Sequence, residues 1–210
     1  MTAPLSGRKA QAARNDQLIV EAAREVFIAD PSAPIAAVAE RAGVGISALY
    51  RRYPSKEDLL RKLCADGLAL YTSIVEAAVA DDGDPWAAFE TFMRGIVDSD
   101  THSITNALAG TFTPSAELNE MAARSGRLNE QLVERTVRAG VVRADLDVGD
   151  LGVLFEQLAV IHVGDERRTR ELRRRYLTIT LDGLRLPPAS TPLPSSAPTL
   201  DERAARWVPA

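Results

Sequence analysis

The sequence predicts an all-α protein, with a three-helix N-terminal headpiece joined by a long helix to an all-helical body. Three observations carry that expectation. Only 5% of the 210 residues are aromatic while alanine is abundant, a balance that favours helices over sheets. Apolar residues recur three and four apart along most of the chain, which is the helical period. Start and stop signals divide it: Ser55 and Asp84-Pro85 open helices, Gly43 and Gly140 close them.

The elements follow in order. Residues 1–12 are expected to be a flexible basic arm carrying Arg8 and Lys9, with Arg14 just beyond. A first helix carries Ile19, Ala22, Ala23 and Phe27. In the second, Ile35, Val38, Ala39 and Ala42 form one apolar face, small enough for a neighbouring helix to approach closely. Pro34 serves as its first helical residue and Ser32 as its cap. Gly43 takes the left-handed turn, and Val44 plugs the angle between two helices. The third helix then places Leu49 and Tyr53 on an inward face. Ser47, Tyr50 and Arg51 fall on another, where a hydroxyl, a phenol and a guanidinium can meet phosphates or base edges. Pro54 stops it. Ser55 caps the next helix, with Lys56 in reach of a phosphate near that N-terminus. Two short helices with a sharp glycine turn are a helix-turn-helix, whose second helix enters the DNA major groove.

Past the headpiece, a long helix runs from about residue 55 to 80 and ends at Asp81-Asp82-Gly83. Asp84 caps the next, which carries Trp86, Phe89, Phe92, Met93, Ile96 and Val97. A short polar, Thr-rich segment follows over residues 98–113. Thr113-Pro114 then open a helix that ends at Gly140. Asp147 or Asp150 opens another, apolar through Val163, and a last helix spans residues 166–184, stopped by Gly183. Residues 187–210 are Pro-, Ser- and Ala-rich and are expected to be disordered, with Trp207 the one hint of a docking residue.

The headpiece resembles the DNA-binding domain of the TetR family of bacterial transcriptional regulators. The matching residues are Val38-Ala39, Ala42-Gly43-Val44, Leu49-Tyr50, Tyr53, Lys56 and Leu59-Leu60, preceded by Arg14, Ile19, Ala22, Ala23 and Phe27. The match covers about residues 12 to 64. It departs from the family pattern at Asp30-Pro31-Ser32-Ala33-Pro34, where a Gly-aromatic pair and a Thr or Ser pair are usual, and at Arg51-Arg52-Tyr53, where a His-Phe pair is common. Arginines there should strengthen phosphate contact. Further on, the Gly140 to Asp147 turn and Leu181-Asp182-Gly183-Leu184-Arg185 look like the family's penultimate turn and final helix end.

The resemblance implies a homodimer that binds double-stranded DNA at an inverted repeat, most simply a repressor released by a small molecule. It implies four units: the arm 1–12, the helix-turn-helix 13–62, an effector-binding and dimerisation body 63–186, and the tail 187–210. The DNA-binding set is Ser32, Pro34, Gly45, Ile46, Ser47, Ala48, Tyr50, Arg51, Arg52, Tyr53 and Lys56. Ile46 and Ala48 can touch thymine methyls and Ser47 serves most bases, so much of the affinity should come from the tyrosine and the cations. Candidate effector-lining residues are Leu68, Tyr71, Trp86, Phe89, Phe92, Met93, Ile96, His102, Leu108, Phe112 and Phe155. His102, between Thr101 and Ser103, reads first as a surface side chain. The expected dimer seam comprises Leu151, Leu154, Leu158, Ile161 and His162 from one helix. Leu177, Thr178, Leu181 and Leu184 come from the last.

Charge agrees with a DNA-binding end. Residues 1–64 carry 10 Lys or Arg against 7 Asp or Glu, and residues 65–210 carry 15 against 22, within a net charge of −4. One cysteine, Cys64, excludes an intramolecular disulfide and reads as a packing residue. The N-terminus has no apolar run like that of a signal peptide, and no stretch reads as the ~20 apolar residues that cross a bilayer, so the cytoplasm is expected, with no membrane partner. Neither cofactor nor metal is expected: His102 and His162 are the only histidines, without metal-ligand spacing around them. No nucleophile elbow, phosphate-binding glycine loop or strand–helix alternation points to an enzyme. The carboxylate pairs Asp81-Asp82 and Asp98-Asp100 fall at helix ends, where capping explains them. The alternatives are a regulator without a small-molecule effector and, less favoured, a helical enzyme.

Overall fold

The structure is a computed structural model that describes residues 7–185 and 191–207, the side chains of residues 7–10, 12 and 13 excepted. The described residues form ten α-helices and no strand: α1 (Gly7–Ala29), α2 (Ile35–Ala42), α3 (Ile46–Arg52), α4 (Lys56–Ala80), α5 (Pro85–Ser99), α6 (Thr101–Leu108), α7 (Ala116–Arg138), α8 (Val148–Ala159), α9 (Glu166–Leu184) and α10 (Leu200–Ala204), which runs into a 3-10 turn at Ala205–Trp207.

The capping residues read from the sequence set most boundaries. Ser55 and Asp58 cap each other's backbone N–H groups at the start of α4. Asp84 accepts from the Ala87 N–H ahead of Pro85 at the start of α5. Asp147 and Asp150 make a second reciprocal pair at α8, and Gly140 takes a φ of +68° after α7. Other boundaries differ from expectation. Ser115, not Thr113-Pro114, opens α7. Helix α8 stops at Ala159 rather than Val163, and α9 passes through Gly183 to end at Leu184.

Two segments to which the sequence assigned no helix of their own are helical. The Thr-rich stretch contains α6, whose Ile104 and Leu108 are buried with Phe112 beyond it. Tertiary burial of these three apolar residues outweighs the weak helix propensity of Thr and Ser around them. The tail contains α10, capped by Thr199 and Glu202, so its disorder is corrected for residues 191–207. At the other end α1 begins at Gly7, inside the segment expected as a flexible arm. Residues 1–6 and 186–190, and the side chains of Arg8 and Lys9, lie outside the described residues.

Two buried clusters organise the packing. The first joins Ile19, Ala23, Phe27, Val38, Leu49 and Leu59 of the headpiece to Ile104, Leu108, Phe112 and Leu118. The second fills the body with Tyr71, Phe89, Phe92, Met93, Leu132, Phe155, Leu177 and Leu181. Helix α4 runs through both and packs on α1, α5, α6 and α7. That role explains its composition. Contrary to expectation, α4 is long and apolar enough to cross a bilayer by length and composition, with a mean hydropathy of 1.4. Cys64 packs against the first cluster, and burial pushes its thiol pKa up to about 12, which leaves it an inert packing residue.

Candidate functional site

The turn between α2 and α3 is built by Gly43, which sits at φ +65° and ψ +30°, while the Val44 N–H donates to the Ala39 carbonyl at 3.0 Å. Glycine takes this backbone conformation without the Cβ penalty of other residues. Leu49 is fully buried and anchors α3 from beneath. Its opposite face is open: Gly45, Ile46, Ser47, Tyr50 and Arg51 are exposed, with Ile46 at 41% and Tyr50 at 47%, and Ala48 is half-buried. Two large side chains, Ile46 and Tyr50, thus stand on the surface of a seven-residue helix.

Four members of the expected DNA-binding set are hydrogen-bonded within the chain. Tyr53 is buried, and its hydroxyl donates to Asp16 Oδ1 at 2.7 Å. Arg52 forks onto the same carboxylate, Nε at 2.7 Å and Nη2 at 3.1 Å. Lys56 lies over the Phe27 ring at 4.9 Å and donates to the carbonyls of Pro31 and Ala33 at 2.9 and 2.8 Å. Tyr53 and Lys56 are therefore corrected from DNA contacts to supports of the α1–α2 loop and the end of α3. The Arg52 hydrogen bond holds the Asp16 carboxyl below its usual range, while burial pushes the Tyr53 phenol up and the Lys56 ammonium down. Ser32 is corrected as well. Its hydroxyl and backbone N–H both donate to Asp30 Oδ1, and Pro34 occupies the N-cap of α2 with no side-chain cap. The signal for Asp16 was too diffuse to read: an acid 36 residues before its arginine has no local partner.

The body's candidate effector residues divide. Tyr71, Phe89, Phe92, Met93, Ile96 and Phe155 pack together in one core, with Trp86 at its edge under Arg185. Leu108, at the end of α6, and Phe112 beyond it instead belong to the headpiece-side cluster, and Leu68 is half-buried on α4. His102 turns inward rather than outward. Its ring lies 5.0 Å from Phe155 and 5.7 Å from Tyr71, centroid to centroid. Burial first, then the charge of Arg203, lowers its pKa from 6.5 to about 4. The cavity bounded by Ile96, His102 and Phe155 measures only about 10 Å3, about one water.

Five residues expected at the dimer seam are core residues of a single chain: Leu151, Leu158, Leu177, Leu181 and Leu184 are 0–8% exposed. Leu154 and Ile161 are half-buried against the same core, and His162 is exposed beside Arg173. The apolar count of α8 was right and its direction wrong, because the core wraps a wider arc of the helix than expected. What α9 leaves open is a stripe at helical spacing, Tyr176, Ile179 and Gly183, with half-buried Leu172 in line and Tyr176 47% and Ile179 57% exposed. Val160 at 68% and Val163 at 52% are also exposed, beyond α8.

One partly buried polar node joins the two halves, and nothing in the sequence marks it. Asp100, at φ +51° between α5 and α6, accepts from Arg24 of α1 at 2.8 Å and from Arg173 of α9 at 2.6 Å. Arg173 is only 4% exposed and also donates to the Ala159 and Ile161 carbonyls at 2.7 and 3.2 Å. A buried arginine so fully satisfied is costly to disconnect. Among the described residues no cluster of His, Cys, Asp and Glu has metal-binding geometry.

Comparison with known proteins agrees with this architecture. Residues 19–63 match the model of bacterial regulatory proteins of the TetR family, and residues 84–186 match the C-terminal domain of SbtR-like transcriptional regulators. The chain is 31% identical over 137 residues to the HTH-type transcriptional repressor LfrR of Mycolicibacterium smegmatis, covering 65% of this chain and 70% of that one. A TetR transcription regulatory protein from Mycobacterium vanbaalenii is 28% identical, with a TM-score of 0.55 over 84% of this chain and 98% of that one. The LfrR structure from Mycobacterium smegmatis in complex with proflavine is 25% identical, with a TM-score of 0.57 over 79% and 95%. With the helix-turn-helix, the all-helical body and both family models in agreement, the chain belongs to the TetR family of DNA-binding transcriptional regulators.

Proposed function

We propose that the protein is a homodimeric repressor that binds an inverted-repeat operator and is released by a small-molecule effector, acting in the cytoplasm. The observation that carries the DNA contact is the open face of α3, where Ser47, Tyr50 and Arg51 stand exposed on a helix braced by Gly43, Leu49 and Asp16. Arg51 and Tyr50 contact phosphates, Ser47 and Ile46 meet base edges and thymine methyls, and Pro34 and Gly45 flank the groove. Arg52 adds charge at the rim while paired to Asp16. The dimer forms through the α9 stripe at Tyr176, Ile179 and Gly183 with Val160 alongside, which replaces the leucines first assigned to it. Two headpieces then read half-sites about 34–36 Å apart.

The test is selection from random duplex DNA at moderate salt. The expected result is an enriched inverted repeat. Arg51→Ala should weaken binding to all sequences and reduce the salt slope by about 1. Ile179→Glu should yield a monomer in sedimentation with operator affinity lost. Retention without a motif would overturn the operator reading, and an unchanged dimer in Ile179→Glu would overturn the interface.

A second reading, a regulator without a small-molecule effector, is favoured by one observation, the nearly solid body core with its cavity of about 10 Å3. The proflavine bound by LfrR supports the first reading by kinship. A planar aromatic cation is therefore the effector class to try.

A further inference from the structure

The headpiece meets the body in two ways. One is apolar: Ile104, Leu108, Phe112 and Leu118 close the cluster that Phe27 and Leu49 begin. Apolar contact is non-directional, so it holds the headpiece down without fixing its angle. The other is polar. Among the described residues, Arg24 with Asp100 is the only side-chain hydrogen bond or ion pair that links α1–α3 to the helices after α4. Helix α4 spans both halves, and a contact away from its axis is what fixes rotation about it.

That link sits at a special backbone position. Asp100 has φ +51° and ψ +37° between α5 and α6, the one non-glycine residue with positive φ among those described. Such a conformation persists where the surroundings over-determine it, and here both carboxylate oxygens are committed. Oδ2 accepts from Arg24 of α1 at 2.8 Å. Oδ1 accepts from Arg173 of α9 at 2.6 Å and from the Ser103 hydroxyl of α6. The Arg24 guanidinium also donates to the Asp100 carbonyl. Charge-assisted hydrogen bonds of this kind set direction as well as distance.

Helix α1 carries a second tie of the same chemistry. Asp16, about two turns before Arg24, accepts from Arg52 and Tyr53 at the end of α3. One carboxylate thus holds α1 to α3, and the other holds α1 to the body. On the far side, Arg173 lies about one turn before Tyr176 on α9, whose exposed stripe is the proposed seam. A line of paired charges therefore runs from that helix to α3: Arg173, Asp100, Arg24, then Asp16 and Arg52.

We infer that Arg24 and Asp100 are positioning residues for operator recognition. Their ion pair sets the angle of α1 on the body, and so the separation of the two α3 helices in the dimer. This rests on the homodimeric, inverted-repeat reading above and names the residues that set its half-site spacing.

The experiment uses the full chain, Arg24→Gln and Arg24→Lys. The Arg24 side chain is 31% exposed, and its loss leaves Asp100 paired with Arg173 and Ser103, whereas loss of Asp100 would strand the buried Arg173 charge. The selected operator is remade with its central spacer lengthened by one and by two base pairs, and affinity is measured for all three and for a single half-site. The unaltered chain should prefer the original spacer about tenfold. Arg24→Gln should bind the original operator about tenfold more weakly. It should also bring the three spacers within about twofold of one another and leave half-site affinity unchanged within about twofold. Arg24→Lys, whose ammonium can replace the contact made by Nη2, should restore the preference. A spacer preference kept in Arg24→Gln would overturn the proposal. So would a uniform loss over every spacer and the half-site with a smaller salt slope, which would make Arg24 a phosphate contact. No preference in the unaltered chain would overturn the inverted-repeat reading beneath it, which separates the two failures.

Discussion

The headpiece and the body are both built around buried aromatic and aliphatic residues, but they obtain their specificity differently. In the headpiece a few local devices place the chemistry: Gly43 at φ +65°, the Ser55–Asp58 capping pair and Leu49 at 0% exposure aim α3 outward. In the body, Tyr71, Phe92, His102 and Phe155 come from four helices; Tyr71 meets the other three edge-on, Phe92 meets Phe155 edge-on, and His102 lies tilted on Phe155. Their arrangement depends on long-range packing. The lesson is that the exposed face of α3 is set by devices within a turn of it, whereas the body core is set by contacts between distant helices.

Three substitutions sharpen that contrast, from large effect to small. Phe155→Ala removes the ring shared by Tyr71, Phe92 and His102 and should cost about 3–5 kcal/mol, seen as a lower urea midpoint. If the two units are as distinct as their devices, operator contacts recover once enough stabilising osmolyte restores the fold. A loss of DNA affinity that persists in folded protein would show the aromatic cluster itself sets headpiece spacing.

The second concerns pH. His102 has its pKa lowered from 6.5 to about 4, so the folded body holds the neutral imidazole. Above pH 6.5 neither state is protonated and stability is full. As pH falls from 6.5 to about 4, the unfolded chain takes up the proton first and stability falls, by up to about 3 kcal/mol. His102→Phe should flatten this acid limb in urea unfolding measured from pH 7 to 4. Retention of the full slope in that variant would assign the loss to carboxylates such as Asp16, whose lowered pKa acts below the ordinary carboxylate value.

The smallest effect tests the headpiece alone. Gly43→Ala forces a Cβ into the left-handed region and should cost about 1–2 kcal/mol, with no atom within 4 Å to add a clash. Hydrogen exchange should rise in α2 and α3 while the body remains protected. Loosening that spreads through α6 to Asp100 would show the two halves unfold as one.

Local signals made the headpiece largely readable. Gly43, Ser55, Asp84-Pro85 and Gly140 act within a turn of their own position, and each sits at the boundary expected of it. The capping pair at Asp147 and Asp150 was half-legible, since either acid alone fits the start of α8. The failures share a cause. Leucines of α8 and α9 read as apolar, but which arc meets the core and which meets solvent depends on where neighbouring helices lie. Likewise Tyr53 and Lys56 match the family pattern, yet Asp16 and the Pro31 and Ala33 carbonyls draw them inward.

The sequence by itself determined the all-α class, the helix-turn-helix and the placement of Ser47, Tyr50 and Arg51 on one face, because helical period and capping are local properties of the chain. Only the tertiary structure decided the rest. It made α6 a helix by burying Ile104 and Leu108. It joined Arg24 and Arg173 through Asp100 across more than 70 positions of chain, and it laid a Pro-rich tail on Gly149 and Gly152. Composition measures what a segment does alone. Burial, and the pairing of charges that it demands, depends on what the folded chain brings beside it.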